Sequence, residues 1–338
     1  MDSNPDKPLR IGYVSPDFCS TSFAYLIEAI LCNHQLLAKC VIFCYSNVSR
    51  EDVVTQHLRG LCSEWRPIHR LTTSEVAETI FKDQIDILVD LSGLRPGNRL
   101  DVFVMKPAPI QITYLGTSLT TGLSAIDYRL TDEYMDPIET TFASPEKLIR
   151  LPRCSLTYTP PAKFPDVTAG PVLTNKWITF GSFCSLSKAN VHVLYTWAAV
   201  LRAVPNSRLV MKAKPFCATT VKNRFYGFFS QNGIDPSRID LLPHTNSTFD
   251  HLAAYELIDI ALDTWPSGGL VTTCEALLMG VPVLTIRGAT HSQNSTASIL
   301  RQVNLQGWIT SSEEEFVRVA THHSNGLDHL AVSETLFL

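Results

Sequence analysis

Short apolar runs rich in β-branched residues alternate with longer helical segments along most of this 338-residue chain. Residues 10–14 and 40–45 are typical of buried strands, and residues 23–34 between them have the apolar spacing of a helix. Strands that alternate with helices of this length form βα units around a parallel sheet that is covered on both faces. The pattern therefore predicts an α/β fold.

The alternation stops once, in a segment rich in proline and threonine at residues 152–171, and then resumes. A segment of this composition without any period is typical of a linker. The sequence therefore predicts two doubly wound domains, an N-terminal one at residues 1–155 and a C-terminal one at 173–338, with a linker at 156–172.

The composition excludes several classes of protein. The net charge of −4 argues against nucleic acid or an anionic membrane surface as the main partner. No window approaches 18 uninterrupted apolar residues, and the first residues lack the apolar core of a signal peptide, so we expect neither a membrane span nor a secretory signal. The nine cysteines are odd in number and include no CxxC pair. They predict free thiols in a reducing compartment, the cytoplasm or the nucleus.

A glycine turn and several polar residues surround the start of a helix predicted at residues 272–279. These residues are Gly268, Gly269, Thr272, Thr273 and Glu275. Ligands of open α/β sheets bind where helices begin, and the unpaired N–H groups of a helix N-terminus suit a phosphate. The glycines would admit the ligand, the hydroxyls would add donors, and the carboxylate would accept hydrogen bonds from a ribose. A nucleoside diphosphate fits this pattern, and so does an ordinary turn with threonine caps.

A second polar loop follows a strand predicted at residues 177–180 and ends at Lys188. The first strand of a doubly wound domain is another place where nucleotides bind, and a lysine there can neutralise a diphosphate. Most lysines are simply solvated, which is the alternative. His251 lies on a predicted helix beside Asp250, and a histidine in that position is typical of a helix cap as well as of a ligand contact.

Several separate motifs, in this order, resemble the catalytic region of the SPINDLY and O-GlcNAc transferase family. They lie at residues 8–18, 107–113, 120–123, 127–132, 151–154, 207–217 (SRLVMKAKPFC), 239–243, 262–266 and 274–282 (CEALLMGVP). The resemblance implies two Rossmann-like domains in the GT-B glycosyltransferase arrangement. It also implies an inverting, metal-independent transfer of one sugar, from UDP-GlcNAc or GDP-fucose, to Ser or Thr hydroxyls of proteins. The chain contains no Asp-x-Asp pair, which agrees with the expectation of no metal and no other cofactor.

The resemblance implies a role for each residue of the donor site. The matching lysine, Lys188, contacts the diphosphate, and the matching histidine, His251, lies against the nucleotide. The two threonines belong to the phosphate-binding turn, and the glutamate binds the ribose. Ser185 stands where the family has glutamine or asparagine, and Val271 where it usually has threonine. Lys188 and the helix N-terminus would then stabilise the charge that develops on the leaving group, which makes Lys188 a catalytic candidate.

The acceptor side departs further from the family. Thr21 stands where the family has a histidine, Gly93-Leu-Arg95 replaces Gly-His-Thr, and Gly116-Thr-Ser118 replaces Gly-Tyr-Pro.

Without the histidine, the candidates for a general base are Asp17, Asp83 and Asp86 near the ends of strands, and Asp17 is the one retained. Each is explained equally well as a cap or a solvated carboxylate.

Two interpretations of the function remain open. The donor residues favour an active protein O-glycosyltransferase. The altered acceptor loops favour an inactive pseudoenzyme, or a truncated fragment of such an enzyme, that binds nucleotide or a partner protein. The second interpretation also draws on Val271 and on the expectation that a C-terminal helix, which crosses back to the first domain in the family, is missing. Tetratricopeptide repeats, which precede the catalytic region in the family, are likewise expected to be absent.

Overall fold

A computed structural model of the protein describes residues 7–35, 39–116, 119–139 and 143–324. The chain divides into two units, Met1–Thr159 and Pro160–Leu338. The division falls within the segment expected to be a linker, and residues 152–171 form neither helix nor strand.

The first unit is built around one parallel sheet. Its described strands are β1 (Leu9–Ser15), β2 (Cys40–Ser46), β3 (Glu64–Pro67), β4 (Ile87–Asp90), β5 (Ile110–Thr113), β6 (Tyr128–Asp132) and β7 (Lys147–Leu151). Its described helices are α1 (Ala24–Gln35), α2 (Val53–Arg59), α3 (Thr73–Lys82) and α4 (Leu100–Val104). The strand order is β3-β2-β1-β4-β5-β6-β7, so the chain winds outward from β1 in both directions.

The helices of this unit cover both faces of the sheet. On one face, Ile80 of α3 and Phe103 of α4 pack into a buried cluster with Leu88 of β4. On the other face, Ile27 of α1 packs with Val89 of the same strand. Because successive side chains of a strand point to opposite faces, β4 contributes to both layers, as a doubly wound sheet requires.

The second unit repeats this architecture. Its described strands are β8 (Thr179–Ser182), β9 (Arg208–Lys212), β10 (Ile239–Leu242), β11 (Ile260–Leu262), β12 (Val283–Ile286) and β13 (Ile309–Thr310). Its described helices are α5 (Val172–Asn175), α6 (Val191–Ala203), α7 (Thr219–Gln231), α8 (Thr248–Ala253), α9 (Val271–Leu278), α10 (His291–Gln302) and α11 (Glu313–Ser324). The strands are parallel in the order β10-β9-β8-β11-β12-β13. The prediction of two Rossmann-like domains is confirmed.

Local sequence signals set several helix boundaries. Thr72 and Glu75 form a capping box at the start of α3. Gly280, with φ +75, ends the helix predicted at 272–279, which the structure places at Val271–Leu278. The edge strands β3 and β13 were not indicated by the sequence, because each is too short or too polar to form an apolar run.

Among the described residues, no helix is both long enough and apolar enough to cross a membrane.

Candidate functional site

The candidate donor site lies where the strand order of the second unit reverses. The chain leaves β8 toward β9 and β10, then returns to β11 on the other side of β8. In open α/β sheets, ligands bind beyond the carboxyl ends of the two strands at such a point. The loop after β8 carries Lys188, and the loop after β11 carries the glycine turn and leads into α9. The topology therefore brings the two polar loops singled out from the sequence to the same edge of the sheet.

Asp263, the residue that follows β11, shapes the glycine turn. Its side chain is buried with 2% of its surface exposed. The Gly269 amide donates to its Oδ1 at 2.7 Å, and the Thr285 hydroxyl of β12 donates to its Oδ2 at 2.8 Å. A buried carboxylate that accepts two such hydrogen bonds fixes the turn against the sheet. Asp263 was part of a family motif in the sequence, but its contact with the turn was not predicted.

The glycines are required because the turn is crowded. A Cβ atom on Gly269 would lie 2.5 Å from the Thr272 hydroxyl oxygen, and one on Gly268 would lie 2.9 Å from the Thr296 hydroxyl oxygen. Neither distance is compatible with van der Waals contact, so side chains at these positions would displace the turn.

The start of α9 has no side-chain cap. Leu270 is its N-cap residue and makes no capping hydrogen bond, so the threonine-cap alternative is not what the structure shows. The Thr272 hydroxyl lies 3.5 Å from the sulfur of Cys184, two residues after β8. Thr273 is only 1% exposed, and its hydroxyl lies 3.3 Å from that of Thr296 on α10, so what it can offer a ligand is its backbone N–H group. The first N–H groups of α9 remain available for an anion.

Lys188 is held directly against the glycine turn. Its Nζ donates to the Gly268 carbonyl oxygen at 2.7 Å, across 80 positions of the chain. Asn190, two residues later, donates to the Trp265 carbonyl oxygen at 2.6 Å and also caps α6. These bonds bring a cation to the turn that leads into α9. Ser185 lies at the exposed outer part of this loop, with its hydroxyl 3.0 Å from that of Ser187.

Glu275 and His251 contact each other. Glu275 lies in the second turn of α9 and is 6% exposed. Its Oε2 is 3.1 Å from Nε2 of His251 on α8. The alternative of a capping histidine does not hold, because Ser247 caps α8 and pairs with Asp250 instead.

Lys212 completes this cluster and was not among the predicted site residues. It is the last residue of β9, is 4% exposed, and donates from Nζ to Nδ1 of His251 and to the Thr245 hydroxyl at 3.1 Å. Burial lowers the pKa of the Lys212 ammonium, and the nearby carboxylates of Glu275 and Asp250 oppose that effect. A lysine at the carboxyl end of a strand with an apolar centre was the signal in the sequence that could have revealed it.

An open pocket of about 400 Å³ adjoins the cluster. It is lined by the loop after β8, the segment after β9, and His244 and His251. The Phe183 ring stands on one side, with the Lys212 ammonium 5.6 Å from its centroid. A pocket of this size with an aromatic wall and a few polar groups suits a nucleoside.

The acceptor-side candidates of the first unit are placed differently. Asp17 follows β1, but its carboxylate is paired with the Arg95 guanidinium at 2.8 and 3.3 Å, and Arg95 in turn lies over the Phe23 ring. The hydroxyl of Thr21 is buried and has no hydrogen-bond partner among the described residues. Of the third altered segment, Thr117 and Ser118 lie outside the described residues.

Asp83 and Asp86 are not placed as general bases. Both precede β4, at the amino end of the strand and away from the edge where ligands bind. Asp83 pairs with Arg66, and Asp86 accepts the backbone N–H of Arg10 at 2.9 Å. These partners account for the positions of both carboxylates, so the structure does not support either as a general base.

Within the described ranges, no group of three or more His, Cys, Asp and Glu side chains could hold a metal ion.

Comparisons with known proteins agree over both units. The model of glycosyl transferase family 41 matches residues 2–169 and 166–335. Over 321 residues, the chain is 42% identical to the Arabidopsis thaliana protein named probable UDP-N-acetylglucosamine–peptide N-acetylglucosaminyltransferase SPINDLY. Over 319 residues, it is 43% identical to the protein of the same name from Oryza sativa subsp. japonica.

These alignments cover most of this chain but only part of each relative. They include 94% and 93% of this chain, and 35% and 34% of the relatives, so the chain spans about a third of the length of the curated proteins it matches. Among solved structures, a lysine-to-methionine mutant of Thermobaculum terrenum O-GlcNAc transferase superposes with a TM-score of 0.93 at 36% identity. That match covers 98% of this chain and 63% of the other.

Proposed function

Because the chain belongs to glycosyl transferase family 41, we propose that it is a protein glycosyltransferase that moves one sugar from a nucleoside-diphosphate donor to Ser or Thr hydroxyls of proteins. The donor is UDP-GlcNAc or GDP-fucose. The names of the two plant relatives specify transfer of N-acetylglucosamine from its UDP donor to peptides, which supports a nucleotide-sugar donor and a protein acceptor.

The observation that carries the proposal is the bond between Lys188 and Gly268. It brings the ammonium group to the turn that leads into the uncapped start of α9. An ammonium group has three N–H donors, so two remain for phosphate oxygens after the bond to the carbonyl. A lysine and a helix N-terminus together supply the positive potential that a diphosphate needs.

The same groups serve the chemical step. The acceptor hydroxyl oxygen forms a bond to the anomeric carbon while the bond from that carbon to the diphosphate oxygen breaks, with inversion. The hydroxyl proton passes to a base, and negative charge develops on the diphosphate. Lys188 and the N–H groups of α9 stabilise that charge, and their preorganisation supports a mechanism that does not depend on a metal.

The nucleoside part of the donor binds beside this anion site. Glu275 accepts hydrogen bonds from the ribose hydroxyls, and the base enters the pocket beside Phe183.

A second candidate is a pseudoenzyme that binds the nucleotide without transferring sugar. The pairing of Asp17 with Arg95 favours it, because a carboxylate engaged by a guanidinium is a poor acceptor for a hydroxyl proton.

Incubation with labelled UDP-GlcNAc or GDP-fucose, with peptide acceptors and with water alone, tests the proposal. We expect the wild type to release the sugar from one donor and Lys188→Met to lower the rate by about a hundredfold or more. Lys222→Met, on α7 and away from the pocket, serves as the matched control and should leave the rate unchanged. Nucleotide binding without any release of sugar would favour the pseudoenzyme. A folded wild type that neither binds nucleotide nor releases sugar would contradict both.

A further inference from the structure

Three ionisable side chains form a chain of hydrogen bonds behind the site. They come from three separate elements: Lys212 from β9, His251 from α8 and Glu275 from α9. Lys212 and Glu275 are nearly completely buried, and His251 lies between them. A buried cation and a buried anion are costly unless each is compensated, and here the imidazole connects them.

The chemistry of the three groups fixes the direction of the hydrogen bonds. A lysine ammonium has only donors, so Nδ1 of His251 must accept. The imidazole is then neutral, carries its proton on Nε2, and donates that proton to the Glu275 carboxylate, whose Oε2 lies 3.1 Å away. Lys212 therefore decides which nitrogen of His251 carries the proton.

This arrangement occupies one oxygen of Glu275 and leaves the other. Oε2 faces His251 and also lies 3.5 Å from the Tyr255 hydroxyl, whereas Oε1 has no hydrogen-bond partner among the described residues. The carboxylate is thus held by one oxygen with the other available to a ligand. Asp250, Lys214 and His244 are further ionisable groups near the cluster, and no hydrogen bond among the described residues joins them to this chain of three.

We propose that Lys212 is a positioning residue: its ammonium group holds His251 in the Nε2–H tautomer, and His251 thereby orients the Glu275 carboxylate toward the ribose hydroxyls of the donor. This rests on the proposed function, which places the ribose at Glu275. Lys212 acts through His251 and Glu275 rather than by neutralising the diphosphate, which is the role of Lys188.

A comparison of two proteins with two kinds of ligand separates the positioning of Glu275 from the neutralisation of the diphosphate. Titration calorimetry would compare the wild type and Lys212→Met, with GDP and UDP and with their 2′,3′-dideoxy analogues, which lack the hydroxyls that Glu275 would bind. We expect Lys212→Met to weaken the ribonucleotide by about tenfold and to leave the affinity for the dideoxy analogue nearly unchanged. Lys214→Met removes a cation from the same pocket without touching His251, and should not distinguish the two ligands.

The tautomer can be read without any nucleotide. The ¹⁵N spectrum of the histidine rings, with His251 assigned by its absence in His251→Gln, should show only the Nε2–H form in the wild type. In Lys212→Met, the Nδ1–H form or the imidazolium should appear. Equal melting temperatures of the variants would show that each is folded.

The outcomes are distinct. A loss that is the same for the ribonucleotide and its dideoxy analogue, or an Nδ1–H histidine in the wild type, would overturn the role of Lys212 while the proposed function stands. A folded wild type that binds neither nucleotide would overturn the proposed function, and this inference with it.

Discussion

At the scale of single residues, the site depends on contacts between positions far apart in the chain. The sequence indicated Lys188, His251 and Glu275 because each stands in a polar stretch next to an apolar element. It did not indicate Lys212, because a lysine at the end of a strand is usually solvated. The burial of Lys212 depends on tertiary contacts such as the one with His251 on α8. The contacts of Asp263 were likewise set by tertiary packing.

The close packing of the glycine turn gives the first prediction. Gly269→Ala places a Cβ 2.5 Å from the Thr272 hydroxyl oxygen, so the turn must shift away from Asp263. We expect nucleotide affinity, measured by calorimetry, to fall by about tenfold or more. The matched control is Gly227→Ala on α7, where an added Cβ meets nothing within 4 Å. It should raise the free energy of unfolding by about 0.5–1 kcal/mol without changing affinity. Equal affinities of the two variants would contradict the crowded turn.

Glu146 of the first unit gives a prediction of pH dependence. Burial tends to raise the pKa of its carboxyl, but hydrogen bonds from Ser144, Thr120 and Thr121 outweigh it and lower the pKa to about 2, against an ordinary value of 4.5. A lowered pKa in the folded state adds stability above the ordinary value, and that stability is lost as the pH falls from about 4.5 toward 2.

The test compares urea unfolding of the wild type and Glu146→Gln. The variant should be less stable at pH 7, and the difference should narrow as the pH is lowered to 3. Glu139→Gln, at an exposed position, should stay within about 0.5 kcal/mol of the wild type at both pH values. A difference that stays constant between pH 7 and pH 3 would show that the hydrogen bonds do not favour the ionised carboxyl.

At the scale of elements, helices with local signals could be predicted, whereas the short polar strand β3 could not. The capping box of Thr72 and Glu75 and the left-handed Gly280 act within a few residues, so the sequence alone places the start of α3 and the end of α9. Among the described strands, β3 pairs only with β2, and its polar sequence has no period that would distinguish it from a loop. Such a strand exists because its neighbour offers hydrogen bonds.

Two helix caps give a prediction at this scale. Ser247 caps α8, the helix that carries His251, and Thr72 caps α3 in the other unit. Replacing either by alanine should lower the free energy of unfolding by about 1 kcal/mol. Only Ser247→Ala should also weaken nucleotide binding, because it loosens the helix that positions His251 beside Glu275. Loss of affinity in Thr72→Ala of the same size would contradict a site confined to the second unit.

At the scale of the whole molecule, two sheets with the same winding carry different chemistry. In each unit an aspartate stands at the carboxyl end of the strand to which the chain returns, β4 or β11. Asp90 accepts hydrogen bonds from the amides of Ser92 and Gly93, and Asp263 accepts one from the amide of Gly269. Among the described residues, only the second unit adds at that point a lysine and an eight-residue helix whose start has no side-chain cap. The fold could be predicted from the alternation of strands and helices, whereas this difference in chemistry required the loops.

Hydrogen exchange can show which of the two units binds the nucleotide. With GDP or UDP at saturating concentration, amides of residues 183–190 and 263–275 should exchange more slowly than in the free protein, because these loops form the proposed donor site. The loops that contain Asp17 and Arg95 should change less. Protection confined to the first unit would place the nucleotide elsewhere.

We propose above all that the second unit binds a nucleoside diphosphate through Lys188, at the point where its strand order reverses. Calorimetric titration of the wild type, Lys188→Ala and Lys222→Ala with GDP and with UDP tests it most directly. We expect one nucleotide to bind the wild type and Lys222→Ala equally, and to bind Lys188→Ala about ten- to a hundredfold more weakly. Equal binding by Lys188→Ala, or no binding of either nucleotide to the folded wild type, would contradict the claim.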